Sequence, residues 1–151
     1  MNFSGGFADL YREVILDHSR SPRNFGRLEG ANREADGFNP LCGDRLKLLL
    51  RVEEGTVRQA SFVGDGCAIS TASASLLTEA LRGLGETEAL ELSDRFRRMA
   101  AGEIEPDEAE LGKLNALVGV RDYPMRVKCA TLAWHALRAA LERSGEVAQT
   151  E

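Results

Sequence analysis

Hydrophobic residues follow two different periods along this chain, and the change between them predicts the order of its elements. Over Phe7–His18 they recur at the spacing of one helix face. Over Ala35–Val63 they alternate with polar residues, most clearly within Leu46–Val52, as in a strand with one buried face. Helical spacing returns over Ala68–Arg143. We therefore expect an α+β fold in which a small three-stranded antiparallel sheet packs against several helices.

The alternating region predicts three strands, over Ala35–Asn39, Leu46–Val52 and Val57–Val63. The second and third are joined by Glu53-Glu54-Gly55-Thr56, where glycine is free to adopt the positive φ of a hairpin turn. Antiparallel pairing brings the start of one strand beside the end of the next. Cys42 and Asp44 should therefore lie close to Cys67, because they precede the second strand and Cys67 follows the third.

The helical regions predict several separate helices. Ala68–Arg82 is rich in alanine and serine, whose small side chains let a helix approach the sheet closely. Glu86–Glu110 is highly charged, and a glycine and a proline divide it into one helix and a shorter one that continues to Leu117. Met125–Arg143 is predicted to be the final helix. His18, at the end of the first helix, is predicted to be a cation beside free carbonyl groups.

Length and composition narrow the function classes. With 151 residues, 43% hydrophobic and 28% charged, the chain is predicted to form a single domain over residues 1–151, with a frayed tail from about residue 145. A formal net charge of −5 argues against a nucleic-acid partner, because such proteins usually carry a basic surface. Met1–Leu10 lacks the basic and apolar segments of a signal peptide, and no run reaches the length of a membrane helix. We expect a cytoplasmic protein without a membrane partner.

The candidate chemistry lies in the three cysteines, Cys42, Cys67 and Cys129, and in Asp44. Gly43 lacks a Cβ, so the backbone can turn tightly and direct Cys42 and Asp44 into one small space. Three thiolates and a carboxylate suit tetrahedral zinc, and thiolates also hold iron–sulfur clusters. The absence of a Cys-x-x-Cys pair excludes a zinc ribbon. Taken alone, each cysteine could instead be a small buried hydrophobic residue.

Two of the cysteines are predicted to lie near helix N-termini, where free N–H groups and the helix dipole favour a thiolate. Cys67 directly precedes one predicted helix, and Cys129 falls near the start of the last. Lys128, Arg126 and Arg121 add positive charge near Cys129 in the sequence. We therefore expect both thiols to ionise readily, as metal binding and nucleophilic sulfur chemistry require.

The segments around these residues resemble one known family. Cys42-Gly43-Asp44, Gly64-Asp65-Gly66-Cys67-Ala68-Ile69-Ser70 and Val127-Lys128-Cys129-Ala130-Thr131-Leu132 are similar, in this order, to motifs of the IscU/SufU/NifU-N group of iron–sulfur cluster assembly proteins. The resemblance extends from about Phe7 to Arg143. It implies an α+β fold with a three-stranded antiparallel sheet covered by helices. It also implies one site, formed by Cys42, Asp44, Cys67 and Cys129.

Within this group, two features resemble the SufU branch. Lys128 stands where the IscU branch has a histidine, and the charged stretch from about Leu84 to Pro106 resembles a SufU insertion. SufU-like members hold zinc and accept sulfur from a cysteine desulfurase as a persulfide, whereas IscU-like members assemble a [2Fe–2S] cluster. The resemblance therefore implies zinc at the four site residues, with a transient [2Fe–2S] cluster on the three cysteines as the alternative occupant. It further implies a desulfurase partner and a downstream scaffold or apo-protein recipient.

Our leading hypothesis is a protein of iron–sulfur cluster biogenesis in which Cys42 accepts the sulfur as the catalytic residue. Asp44, Cys67 and Cys129 would hold the metal with it. The chain would then be a zinc-dependent sulfurtransferase or a non-enzymatic scaffold. A structural zinc protein that binds a partner is the alternative from another class, and its closed site would not exchange sulfur. A thiol redox enzyme is disfavoured because no resolving cysteine lies near in the sequence.

Overall fold

The sheet is built around one long hairpin. In this computed structural model, which describes residues 3–142 and 148–149, β2 (Arg45–Glu53) pairs antiparallel with β3 (Thr56–Asp65) on one side and with β1 (Arg33–Phe38) on the other. Glu54 and Gly55 have positive φ angles of 52° and 74°, which form the predicted hairpin turn. The three antiparallel strands of the prediction are confirmed.

A short fourth strand lies at the edge of this sheet. β4 (Ala148–Gln149) pairs parallel with β1, which gives the order β3-β2-β1-β4. The tail predicted to fray begins at about residue 145, and apart from β4 it lies outside the described residues.

The helices of the prediction are present. They are α1 (Phe3–Arg20), α2 (Ala68–Leu81), α3 (Glu86–Ala100), α4 (Glu108–Leu111) and α5 (Pro124–Glu142). The segment before α5 differs from the prediction, because Gly112 adopts a φ of 52° and ends α4 after a single turn. The chain then continues as 3-10 turns over Gly112–Asp122. Within the part of the chain described here, no helix is long and apolar enough to cross a membrane.

Side chains from α2, α3 and α5 meet at Trp134 in the core. The Trp134 ring stacks on Phe96, with 4.5 Å between ring centroids, and its Nε1 donates to Ser73 Oγ at 3.0 Å. Ser73 Oγ in turn donates to the Ala130 carbonyl at 2.5 Å. Because Ala130 follows Cys129 in α5, this network holds in place the turn of helix that carries the cysteine.

The end of β3 reaches the candidate site through a position that only glycine fits. Gly64 pairs with Leu46 and has a φ of 139°, and a Cβ built on it would lie 2.2 Å from the Arg45 carbonyl oxygen. Any side chain would therefore push the end of β3 away from β2. Gly64 keeps Cys67, three residues later, beside the start of β2.

His18 is buried and its pKa is lowered, so the prediction of a cation at the end of α1 was wrong. Its Nδ1 lies 2.7 Å from Ser75 Oγ on α2, and its Nε2 lies 3.7 Å from a carboxylate oxygen of Glu79. Burial lowers the pKa of His18, and the charge of Arg23 lowers it further, against the opposing effect of Glu79. Packing of α1 on α2 therefore places an uncharged imidazole inside the protein.

Candidate metal centre

Cys42 and Asp44 lie on the loop that joins β1 to β2. Gly43 between them has a φ of 78°, which a residue with a side chain rarely adopts, so the predicted tight turn is confirmed. Loop residues 40–43 are exposed, whereas Asp44 is buried. The loop therefore presents its thiol to the solvent and directs its carboxylate inward.

Three of the predicted site residues come together as a group that could hold a metal ion. Cys42 Sγ and Cys129 Sγ are 3.8 Å apart, and with a carboxylate oxygen of Asp44 these atoms all lie within 4.8 Å of one another. Cys42 is exposed, whereas Asp44 and Cys129 are buried. This arrangement joins the loop before β2 to α5, two elements that are far apart in the sequence.

The carboxylate of Asp44 supports this interpretation. Its Oδ1 accepts a hydrogen bond from the Cys67 N–H at 3.1 Å, whereas its Oδ2 is buried and has no partner among the described residues. Buried carboxylate oxygens normally have a donor, so an unpaired one requires an explanation. Two thiols and a free carboxylate oxygen form a donor set that suits zinc.

Cys67 is exposed and lies beside this group, and its sulfur is bonded to the start of α2. It is the N-cap residue of that helix, and its Sγ accepts a hydrogen bond from the Ser70 N–H at 3.4 Å. The predicted place at a helix N-terminus is therefore confirmed. Its backbone bond to Asp44 places Cys67 next to the other three residues, while its sulfur lies outside the group formed by Cys42, Asp44 and Cys129.

Cys129 does not have the ionised thiol that its sequence position suggested. Burial raises the pKa of Cys129 well above the usual value for a thiol, and the neighbouring Cys67, Cys42 and Asp44 raise it further. Cys129 is the sixth residue of α5, so it lies beyond the first turn, where the helix dipole acts most strongly. Its thiol is protonated until a cation replaces the proton.

Two of the cations expected to favour that thiolate have other partners. Arg121 donates from Nη2 to the carbonyl groups of Met99 and Ile104, at 2.7 and 2.8 Å. The guanidinium of Arg126 lies over the ring of Tyr123, 4.6 Å from its centroid. Sequence proximity to Cys129 therefore did not indicate where these charges lie.

Large apolar side chains are exposed around the thiols, a feature that the sequence reasoning missed. Leu41 is 60% exposed, Tyr123 52% and Met125 43%. Leu41 directly precedes Cys42, and Met125 lies about one helical turn before Cys129 on α5. These exposed side chains therefore lie in the two segments that carry Cys42 and Cys129.

Comparison with known proteins agrees with the cysteine motifs. The family model of the NifU-like N-terminal domain matches residues 10–130. The iron–sulfur cluster assembly scaffold protein IscU of Streptococcus pyogenes serotype M1 is 43% identical over 135 residues, which cover 89% of this chain and 84% of that protein. The zinc-dependent sulfurtransferase SufU of Bacillus subtilis strain 168 is 42% identical over 143 residues, which cover 95% of this chain and 97% of that protein.

The fold is also similar to that of a solved structure. A crystal structure described as a candidate SUF-system scaffold protein for iron–sulfur cluster assembly, from Fervidobacterium islandicum AW-1, is 37% identical to this chain and superimposes with a TM-score of 0.80. The match covers 85% of this chain and 94% of that one. From its motifs, its fold and these relatives, the chain belongs to the NifU-like N-terminal domain family.

Proposed function

We propose that this protein acts in iron–sulfur cluster biogenesis as a zinc-dependent sulfur acceptor. Cys42 receives the sulfur from a cysteine desulfurase, and Asp44, Cys67 and Cys129 hold the zinc together with it. The observation that supports this most strongly is the pairing of exposed Cys42 with buried Cys129 at 3.8 Å, beside an unpaired oxygen of Asp44. The Cys42 thiol is open to a partner while Asp44 and Cys129 are buried.

The four residues have distinct roles toward zinc. When bound, zinc keeps the thiols ionised, which offsets the burial that raises the pKa of Cys129. Asp44 offers its free Oδ2 as a hard and exchangeable donor. Cys67 would be the fourth ligand, and as a thiolate it could keep the hydrogen bond that its sulfur accepts from the Ser70 N–H. The relative from Bacillus subtilis, a zinc-dependent sulfurtransferase by name, supports zinc as the metal.

Sulfur transfer needs one thiolate that a partner can reach. The Cys42 thiolate attacks the terminal sulfur of a persulfide on the desulfurase, and a new S–S bond forms at Cys42. The S–S bond of the donor breaks, and the donor cysteine leaves as a thiolate with the electron pair. The terminal sulfur atom moves from the desulfurase cysteine to Cys42 without net oxidation or reduction. Cys42 suits this step because it lies on an exposed loop, whereas Cys129 is buried and Cys67, although exposed, is fixed at the start of α2 by the hydrogen bond from the Ser70 N–H.

The exposed apolar side chains support a protein partner at this face. Leu41 directly precedes Cys42, and Tyr123 and Met125 lie at the start of the helix that carries Cys129, so a desulfurase that docks on them would bring its persulfide toward Cys42. The recipient of the sulfur would be a downstream scaffold or apo-protein at the same exposed thiol. The reaction belongs in the reducing cytoplasm, where thiols remain free.

Assembly of a transient [2Fe–2S] cluster on the three cysteines is the second candidate function. It is favoured by the 43% identity with the Streptococcus pyogenes scaffold protein and by the three neighbouring thiols. A purely structural zinc site is disfavoured, because Cys42 is exposed on a loop and open to exchange.

Anaerobic purification followed by metal analysis and a desulfurase assay tests the proposal. We expect one zinc per chain and transfer of one sulfur atom per chain from desulfurase and cysteine. Asp44→Ala should retain zinc on three thiolates while sulfur transfer slows, since the exchangeable oxygen ligand is lost. Purification with iron and sulfide in place of zinc would favour the scaffold function. Absence of both metals, with no sulfur transferred, would refute both candidates.

A further inference from the structure

Asn39 connects the loop of Cys42 and Asp44 to the end of β1, although it carries no predicted role. It is fully buried, and its backbone N–H donates to the Asp44 carbonyl at 2.9 Å. Its own carbonyl accepts from the Gly43 N–H at 2.8 Å, and its side-chain Oδ1 accepts from the Leu41 N–H at 3.1 Å. Asn39 is thus hydrogen-bonded to three of the next five residues, Leu41, Gly43 and Asp44.

These bonds determine the shape of an otherwise exposed loop. Among the residues that the structure describes, the backbone hydrogen bonds of loop residues 40–43 all end on Asn39. The bond from Oδ1 to the residue two positions later is an Asx turn, which mimics a backbone turn. Without that side chain, Cys42 would lie on a loop held only by main-chain contacts.

The other end of the Asn39 amide indicates a role beyond stability. The Leu41 N–H is a donor, so it fixes which end of the amide is oxygen and leaves Nδ2 as a donor directed elsewhere. Nδ2 is buried without an acceptor in the described part of the chain. A buried donor without a partner is unfavourable, so folding stability alone does not explain an asparagine here.

We propose that Asn39 is a positioning residue of the metal centre: its Oδ1 fixes the loop so that Cys42 and Asp44 converge on Cys129 before the metal arrives. The inference rests on the zinc site of the proposed function. A loop that is already ordered loses less conformational entropy when its two ligands bind. Asn39 should therefore slow the release of zinc without being a ligand itself.

Zinc release to a colorimetric chelator, measured on the full chain without a desulfurase, tests this role. We expect Asn39→Ala to release zinc roughly 10-fold faster or more, as is typical when a residue that orients a metal ligand is removed. Asn39→Asp retains an oxygen acceptor for the Leu41 N–H and should stay close to the wild-type rate. Asn39→Ser, whose shorter hydroxyl bonds the turn more weakly, should be intermediate. The absorption spectrum of the cobalt-substituted protein should change in the same order.

Asn32 provides a matched control at the other end of the same strand. Its Oδ1 accepts from the Val52 N–H at 2.8 Å, and its Nδ2 donates to the Val52 carbonyl at 2.7 Å. Asn32→Ala removes two hydrogen bonds and should lower the melting temperature while leaving zinc release unchanged. The role of Asn39 is refuted by an unchanged rate in Asn39→Ala, by equal acceleration in Asn32→Ala, or by Asn39→Asp releasing zinc as fast as Asn39→Ala. Wild-type protein that binds neither zinc nor cobalt would instead refute the proposed function, and this inference with it.

Discussion

The sulfur atoms of Cys42 and Cys129 lie 3.8 Å apart, although 87 positions separate the two residues in the sequence. A disulfide bond is about 2.05 Å long, so a small shift of the exposed loop would join them. We expect diamide, which accepts the two electrons and two protons, to link Cys42 to Cys129 in the metal-free protein. Peptide mapping after alkylation should find Cys67 free, and Cys67→Ser should form the same disulfide. A bond between Cys67 and Cys129 would contradict the preferred pairing of Cys129 with Cys42.

The buried ring of His18 should make the protein less stable as the pH falls. Burial lowers its pKa in the folded state, so below about pH 6.5 the unfolded chain binds more protons than the folded one. Its contribution to stability is complete above that pH and is lost as the pH falls toward the lowered pKa. Urea unfolding of the reduced, metal-free protein across this range should show a shallower pH dependence in His18→Gln.

His135, the other histidine of the chain, must be measured separately, because burial lowers its pKa as well. His135→Gln should remove a separate part of the pH dependence, and the two changes should add. An unaltered slope in His18→Gln would contradict the neutral, buried state of that ring.

Two buried serines on successive helices, α2 and α3, should respond differently to replacement by alanine. Ser73→Ala leaves Trp134 Nε1 without its acceptor, so we expect a loss of about 1–3 kcal/mol in the free energy of unfolding. Ser93 is also buried, but its hydroxyl has no partner in the described residues, so Ser93→Ala should be close to neutral or stabilising. Urea denaturation measures the free energy of unfolding of both variants. We propose that the chain is a single domain, so each variant should unfold in one transition. A Ser73→Ala variant as stable as the wild type would contradict the stabilising role of the Ser73 network.

The exposed ring of Tyr123 should contribute to desulfurase binding. Tyr123→Ser should weaken that complex roughly 10-fold, or about 1.4 kcal/mol, and leave zinc content unchanged, because Tyr123 is not a ligand. Phe25 is equally exposed, at 52%, but packs on Phe62 in the middle of β3, so Phe25→Ser is the control. Isothermal titration calorimetry with a cysteine desulfurase measures the affinity of each variant. Equal loss of affinity in Tyr123→Ser and Phe25→Ser would show that the desulfurase does not bind specifically at Tyr123.

Much of the fold and of the site could be predicted because both follow from local patterns. The alternation over β2 and the turn at Glu54 and Gly55 define a hairpin, and antiparallel pairing then brings Cys67 to the loop of Cys42. The motifs added Cys129, which no local pattern connects to that loop. The proximity of Cys42, Asp44 and Cys67 could therefore be predicted from the sequence pattern, and that of Cys129 only from the resemblance.

The properties that were missed depend on contacts between distant elements. His18 is neutral because α1 packs on α2, and the thiol of Cys129 is protonated because α5 is buried there, although its sequence neighbours are cations. Arg121 bonds to carbonyl groups near the end of α3 instead of approaching Cys129. The charges of sequence neighbours therefore predict the pKa of a side chain poorly, because the pKa depends on the burial and the partners that the fold gives that side chain.

Mass spectrometry of the protein after incubation with a cysteine desulfurase and cysteine is the most direct test of Cys42 as the sulfur acceptor. Wild-type protein should gain one sulfur atom, located by peptide mapping on Cys42. Cys42→Ser should gain none while keeping its fold, because Cys129 is buried and Cys67, although exposed, is fixed at the start of α2 instead of on the loop. If Cys42→Ser still acquires a persulfide on Cys67 or Cys129 at the wild-type rate, Cys42 is not the acceptor.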